Sequence, residues 1–388
     1  MIHFKHLPEE IKRDVFYQLP VAFSPADPVS MLQYALGAAL YVPGVNEGVA
    51  TAIVNRRYPQ LTSVILCLED AIGDNQVKAA EKTLIQSMTI IKEALEEKKL
   101  SQEDLPLIFV RVRSPEQLQK LLNKVDKLDL LCGFVLPKFT SQNGMDYLHS
   151  IYAANKQHGT DFYAMPIIES PEVIYKESRL EELMKIKAIM DAYKNSILNI
   201  RIGATDFSSL FSIRRSIDCT IYDISVIREC ITDIINIFSR SETNYVISGP
   251  VWEYFARTRV LKPTLRESPF IAEKGDLGRE ERQHLLDESI DGLIREVLLD
   301  KANGLTGKTV IHPSHITYVN SLQAVTREEY EDALMIAGSE SGDKGVLKSP
   351  WGNKMNEIKP HMNWARKILT KARVYGVLNE NASFTSLF

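Results

Sequence analysis

Charged residues recur in this sequence at the ends of short apolar runs. The stretch SVILCLEDAIGD (63–74) passes from Val64–Leu68 straight into Glu69 and Asp70. LIFVRVR ends in Arg111 and Arg113, GFVLPKF carries Lys138, and YAMPIIES carries Glu169. LNIRIGATD ends in Thr205 and Asp206, and KTVIHP carries His312. Glu169 and Asp206, on consecutive strand ends, are hard oxygen donors suited to Mg2+ or Mn2+. Such an ion takes one or two carboxylates and fills its octahedral shell with waters and substrate oxygens. Glu69 and Asp70 would hold those waters. Arg111 offers a planar fork for a substrate carboxylate, with Arg113, Lys138, Thr205 and His312 as further substrate contacts. A divalent ion beside a bound 2-oxo acid stabilises an enolate, the intermediate shared by aldol-type cleavage and condensation of carbon–carbon bonds.

Each position has a bland reading when taken alone. A carboxylate after a strand can cap the next helix, and a lone basic side chain can be surface charge. The elements between these residues decide. Apolar strands are expected at 38–43, 63–70, 107–113, 133–139, 163–170, 198–206, 244–250 and 308–313, with amphipathic helices between them. Eight strand–helix repeats predict an α/β fold, a (β/α)8 barrel, whose active site is built where the strands end. A doubly wound open sheet is weaker, because no strand is followed by GxGxxG or GxxxxGK[ST]. The expected organisation is a helical preface over 1–37, a barrel over 38–320, and a C-terminal helical extension or lid over 321–388.

Other signals carry less. His312 and His315 lack the glutamate and helical setting of HExxH. Arg214, in SIRRS, is either surface charge or an anion contact. After the seventh strand, VWEYFARTRVLKPTLRESPF brings Arg257 and Arg259, with Lys262 and Arg266. Barrels often bind phosphate with the loops after strands seven and eight. This loop is therefore either a solvated basic segment or the holder of a phosphate or second carboxylate.

The chain of 388 residues has 45% hydrophobic and 25% charged residues, ordinary for a globular protein. A net charge of −4 argues against a general nucleic-acid or membrane-surface binder. Cys67, Cys132, Cys219 and Cys230 form no CxxC pair, which predicts a reducing, cytoplasmic setting without disulfides or a zinc knuckle. The N-terminus lacks the apolar segment of a signal peptide, and no run is long enough to span a membrane.

YVPG, LCLEDAIGD, VRV, VLPK, PIIES, GATDF and GKTVIHPSHI occur in that order. The ordered set resembles the citrate lyase beta subunit and HpcH/HpaI aldolase superfamily of magnesium-dependent TIM-barrel carbon–carbon bond lyases. RIGATDFSSLFSIRRS followed by TIYD resembles a divergent citrate lyase beta-like branch associated with tellurium-resistance and stress gene clusters. The resemblance implies Glu169 and Asp206 as metal ligands, Glu69 and Asp70 as the acidic pair beside the metal water, and Arg111 as the carboxylate clamp. It also implies a homo-oligomer, trimer or hexamer. In the acyl-CoA enzymes of the superfamily a C-terminal Asp reaches a neighbouring subunit's site, and Glu357 of NKMNEIKPH stands at that place. Gly37 and Ala38 stand where the family usually has Arg and Ser, so a CoA thioester substrate is not simply inherited. The expected function is metal-assisted lysis or formation of a carbon–carbon bond in a small carboxylated substrate: a free acid, a phosphorylated acid or a thioester. The competing readings are a phosphotransferase barrel of the pyruvate and PEP kind, and a catalytically impaired barrel serving as an assembly partner in a stress-response complex.

Overall fold

The computed structural model describes residues 1–255, 288–339 and 345–388. Arg257 and Arg259, expected to contact an anion, lie outside the described residues, as do Lys262 and Arg266.

The barrel strands are Ala38–Pro43, Ser63–Cys67, Leu107–Arg111, Leu131–Leu136, Tyr163–Ile168 and Arg201–Ile202, with Lys308–Val310 as the last. They form one parallel sheet in chain order, and Lys308–Val310 returns to pair with Ala38–Pro43. The expected seventh strand is reduced to bridges, yet it closes the ring. Ile200 N–H donates to Val246 O at 2.9 Å, and Gly249 N–H donates to Gly307 O at 3.0 Å. Parallel bridges join Ile200 to Ile247 and Gly249 to Lys308. The result is a TIM barrel.

Side-chain alternation separates two cores, as the two-residue period of a strand requires. Val64, Leu66, Ile108, Val110, Phe134 and Leu136 face outward, against helices such as Val77–Glu96 and Gly144–His158. Ala39, Ile65, Phe109, Val135, Met165 and Ile167 fill the interior. That interior continues into Phe4, Phe23, Met31 and Leu32 from the N-terminal segment, and into Val374, Tyr375 and Leu378 near the C-terminus. The two chain ends also pair as a small antiparallel sheet, Phe16–Gln18 with Val377–Leu378.

The C-terminal helix Ile358–Tyr375 thus packs at the N-terminal end of the barrel. Tyr375 Oη donates to Tyr34 O at 2.6 Å, and Lys367 Nζ donates to Gly304 O at 2.5 Å. It is therefore not a lid over the mouth of its own barrel. Glu357 sits just before this helix, at the end of a hairpin formed by Val346–Lys348 and Met355–Glu357. Gly37 also lies at this end: its carbonyl accepts from Lys308 N–H, and an added Cβ would meet Asn320 Oδ1 at 2.3 Å. Its φ of +56° favours glycine as well, so the family's arginine has no place here.

One expected strand end is corrected. The strand over 198–206 stops at Ile202, and Thr205 and Asp206 belong to the first turns of a helix, Ala204–Leu210. The reason is local packing. A side chain on Gly203 would collide with Glu169, so the chain turns there through a glycine.

Candidate active site at the barrel mouth

Glu69 and Asp70 are not a helix cap. The next long helix begins only at Val77, after a turn through Asp74–Gln76. The pair instead meets charges from neighbouring strands. Arg111, buried on the inner face of the third strand, places Nη2 2.5 Å from Glu69 Oε2, 3.0 Å from Asp70 Oδ2 and 3.5 Å from Glu169 Oε1. Lys138 closes the other side, with Nζ 2.5 Å from Glu69 Oε1 and 3.8 Å from Asp206 Oδ1. Its backbone N–H donates to Glu169 Oε1 at 2.8 Å. Lys138 holds φ at +47°, an unfavourable left-handed conformation for a residue with a side chain. Strain of this kind persists where the surroundings enforce it, commonly at functional sites.

The carboxylates differ in proton affinity. Burial pushes the Glu169 carboxyl up to about 8; nearby Arg111 opposes this and the Asp206 charge adds to it. Burial also raises Glu69, as does its contact with Asp70, while Arg111 and Lys138 oppose the rise. Burial would raise Asp70 too, but its hydrogen bond with Glu69 and the charges of Arg111 and Lys138 outweigh it and hold Asp70 low. The adjacent acids therefore differ, with Glu69 the weaker acid and Asp70 the stronger.

A cavity of about 260 Å³ opens on this cluster. Asp70, Arg111, Glu169, Thr205 and Asp206 line it, together with Tyr41, Arg201 and Thr309. Glu169 and Asp206 both line it and can serve as oxygen donors. Among the described residues no group of three or more His, Cys, Asp or Glu side chains is gathered as a metal cage. Two carboxylates with room for waters suit Mg2+, which rarely uses an all-protein cage.

The other expected contacts spread around the rim. Arg113 Nε donates to Leu68 O at 3.1 Å, and its Nη1 pairs with Asp74 at 2.7 Å, so this side chain braces the turn after the second strand. Thr205 Oγ1 donates to Glu253 Oε1 at 2.9 Å. His312 stacks on Phe255 at 4.5 Å and shares a hydrogen bond with Ser314. Arg214 is exposed; its neighbour Arg215 is the buried one, gripping Glu296 and the Val251 carbonyl and lying 4.8 Å from the Trp252 ring. Glu357 is exposed, and its backbone N–H donates to His361 Nδ1, so it does not join this cluster.

Tyr41, Arg201 and Thr309 were not anticipated. For Arg201 a signal exists: a charged residue at an inward position between two isoleucines of the strand segment LNIRI.

The profile of the family described as C-C bond lyases of the TIM-barrel fold matches residues 30–377. The chain belongs to that family of carbon–carbon bond lyases, and its barrel is the fold of such a protein. A comparison with curated proteins gives no match. Among solved structures, a citrate lyase from Burkholderia xenovorans LB400 is similar at 14% identity and a TM-score of 0.58, covering 95% of this chain and 100% of that one. The protein CitE from Mycobacterium tuberculosis, in complex with magnesium, acetoacetate and coenzyme A, is similar at 17% identity and a TM-score of 0.53. That match covers 88% of this chain and 99% of CitE. At these identities the likeness shows the shared fold. Among the described residues no helix is long and apolar enough to cross a membrane.

Proposed function

We propose that the protein is a magnesium-dependent lyase or aldolase that breaks or forms a carbon–carbon bond in a small 2-oxo acid. The observation that carries this reading is Glu169, a buried carboxylate held beside Asp206 in one cavity, with its proton affinity raised by burial. Arg111 and Lys138 offset part of the pair's charge, and a divalent ion would offset the rest. Magnesium in the complex of the similar CitE supports the choice of ion. Glu169 and Asp206 would hold it, and the ion would supply Lewis-acid stabilisation of the negative charge that develops on the substrate's oxo group.

The remaining roles fall to residues of this chain. Arg111 neutralises the carboxylate cluster and orients the substrate head group. Lys138 fixes Glu169 through its backbone and Glu69 through its ammonium. Glu69, whose proton affinity burial raises, exchanges a proton with the departing carbon fragment beside the more acidic Asp70. Glu357 of a neighbouring copy completes the mouth; support comes from its exposed hairpin, where Met355 and Val346 also lie open to solvent.

Retro-aldol turnover of a panel of hydroxylated 2-oxo acids, with magnesium and after its removal, tests the reading. Turnover that requires magnesium and vanishes in Glu169→Gln supports it. Magnesium affinity equal in Glu169→Gln and wild type overturns it.

A further inference from the structure

Among the described residues four arginines are buried, and three of them meet carboxylates. Arg111 meets Glu69, Arg179 meets Asp233, and Arg215 meets Glu296. Arg201 is the exception. It is 1% exposed, and its Nε and Nη1 have no hydrogen-bond partner. Its contacts are Nη2 to Thr309 Oγ1 at 2.6 Å and the face of the Tyr41 ring, 5.6 Å from Cζ to the centroid. Neither neighbour carries a negative charge. A buried guanidinium without a counter-charge is a costly arrangement, retained where something else supplies the anion.

The location says what that anion belongs to. Arg201, Tyr41 and Thr309 line the same cavity as Glu169 and Asp206. In the sheet Arg201 pairs with Ile167, two residues before Glu169. It therefore lies one inward-facing layer deeper, by roughly 6.6 Å at the usual rise of a strand. A ligand with its oxo acid head at the two carboxylates has Arg201 at its far end. Arg111 differs from Arg201 in already having counter-charges, with Nη2 shared among three carboxylates.

We propose that Arg201, set between Tyr41 and Thr309, anchors a second carboxylate of the substrate and makes the site selective for 2-oxo dicarboxylic acids over monocarboxylic ones. The anchor rests on the metal-assisted reading of the site, which places the first carboxylate. A guanidinium binds a carboxylate by charge-assisted hydrogen bonds, and Arg201 has the open donors for them. A lysine could keep the charge but not the planar array of donors.

Calorimetric binding of 2-oxoglutarate and 2-oxobutyrate to the full chain, with and without magnesium, tests this. The wild type is expected to bind 2-oxoglutarate about tenfold tighter or more, as hydrogen bonds to a charged group imply. Arg201→Met should abolish that preference and leave magnesium-dependent 2-oxobutyrate binding in place, and Arg201→Lys should restore only part of it. Magnesium-dependent binding of 2-oxobutyrate with no tighter binding of 2-oxoglutarate overturns the anchor alone. A preference undiminished in Arg201→Met does the same. Binding of neither acid in a magnesium-dependent way overturns both the anchor and the reading beneath it. The wild-type comparison needs no variant, so a poorly folding Arg201→Met leaves the test decisive.

Discussion

A β-carbon on Gly203 would lie 2.0 Å from Glu169 Oε2 and 2.4 Å from Glu169 Cβ. The backbone after the sixth strand thus forms the wall against which the central carboxylate rests. Gly203 has φ near −91°, which any residue adopts, so the need for glycine here is one of space and not of backbone conformation. Gly203→Ala is expected to push Glu169 out of place and to destabilise the fold by about 1–3 kcal/mol, the usual cost of overpacking. Magnesium affinity should fall at the same time. Calorimetry and thermal unfolding of the variant measure the two effects; wild-type values for both would mean that the wall gives way freely.

A second charged cluster lies behind the barrel, on the outer face of the last strand. Lys308 Nζ is 2.9 Å from Glu296 Oε1 and 2.8 Å from Asp300 Oδ2, and all three side chains are buried. Tyr222 Oη adds a hydrogen bond to Asp300 at 2.6 Å. Lys308→Met would leave the buried Asp300 without its cation and Glu296 with Arg215 alone. We expect a loss of roughly 3–5 kcal/mol, as for breaking one side of a buried ion pair. Denaturant titration would show it as a lower midpoint, and an unchanged midpoint would contradict the electrostatic account.

His3 provides a pH-dependent contribution at the opposite end of the barrel. Its Nε2 lies 3.0 Å from Ala35 O, and its ring packs 4.4 Å from that of Tyr375. Burial lowers its pKa to about 4, so the folded chain keeps it neutral where the unfolded chain, with an ordinary value near 6.5, takes up a proton. The unfolded state therefore binds more protons between those values. The contribution of His3 is complete above pH 6.5, is lost as the pH falls towards 4, and changes no further below that. The total is on the order of 3 kcal/mol. His3→Gln should flatten this part of the stability–pH curve, and an unaltered slope would rule His3 out as its source.

Assembly can be tested without removing the C-terminus. Deletion after residue 340 would take away Val374, Tyr375 and Leu378, which are part of the barrel's inner core, so the shortened chain is expected to lose its fold. Glu357→Gln keeps that core. If Glu357 serves a neighbour's mouth, Glu357→Gln and Glu169→Gln are each inactive alone, and mixing the two after subunit exchange restores part of the activity. A mixture as inactive as its components would place Glu357 outside the reaction.

The mouth cluster was legible in the chain because strand period and strand ends are local properties. Glu69, Arg111, Lys138 and Glu169 each follow an apolar run, and a parallel barrel gathers such ends at one rim. Where local pattern competed with packing, packing prevailed. Asp206 lies in the first turn of a helix that starts directly after Gly203, and the seventh strand thinned to single bridges.

By itself the sequence determined the barrel, the order of its strands and the identity of the acids and bases at their ends, because hydrophobic alternation commits each side chain to one face. Only the tertiary structure decided which charges neutralise one another. Arg111 became the counter-charge of three carboxylates, Arg215 was taken inward while Arg214 stayed exposed, and Arg201 was left buried without an anion. The C-terminal helix was likewise placed at the end of the barrel away from the site. The physical reason is distance. Electrostatic partners and closing contacts join residues far apart in the chain, and their energies depend on burial that no short stretch of sequence contains.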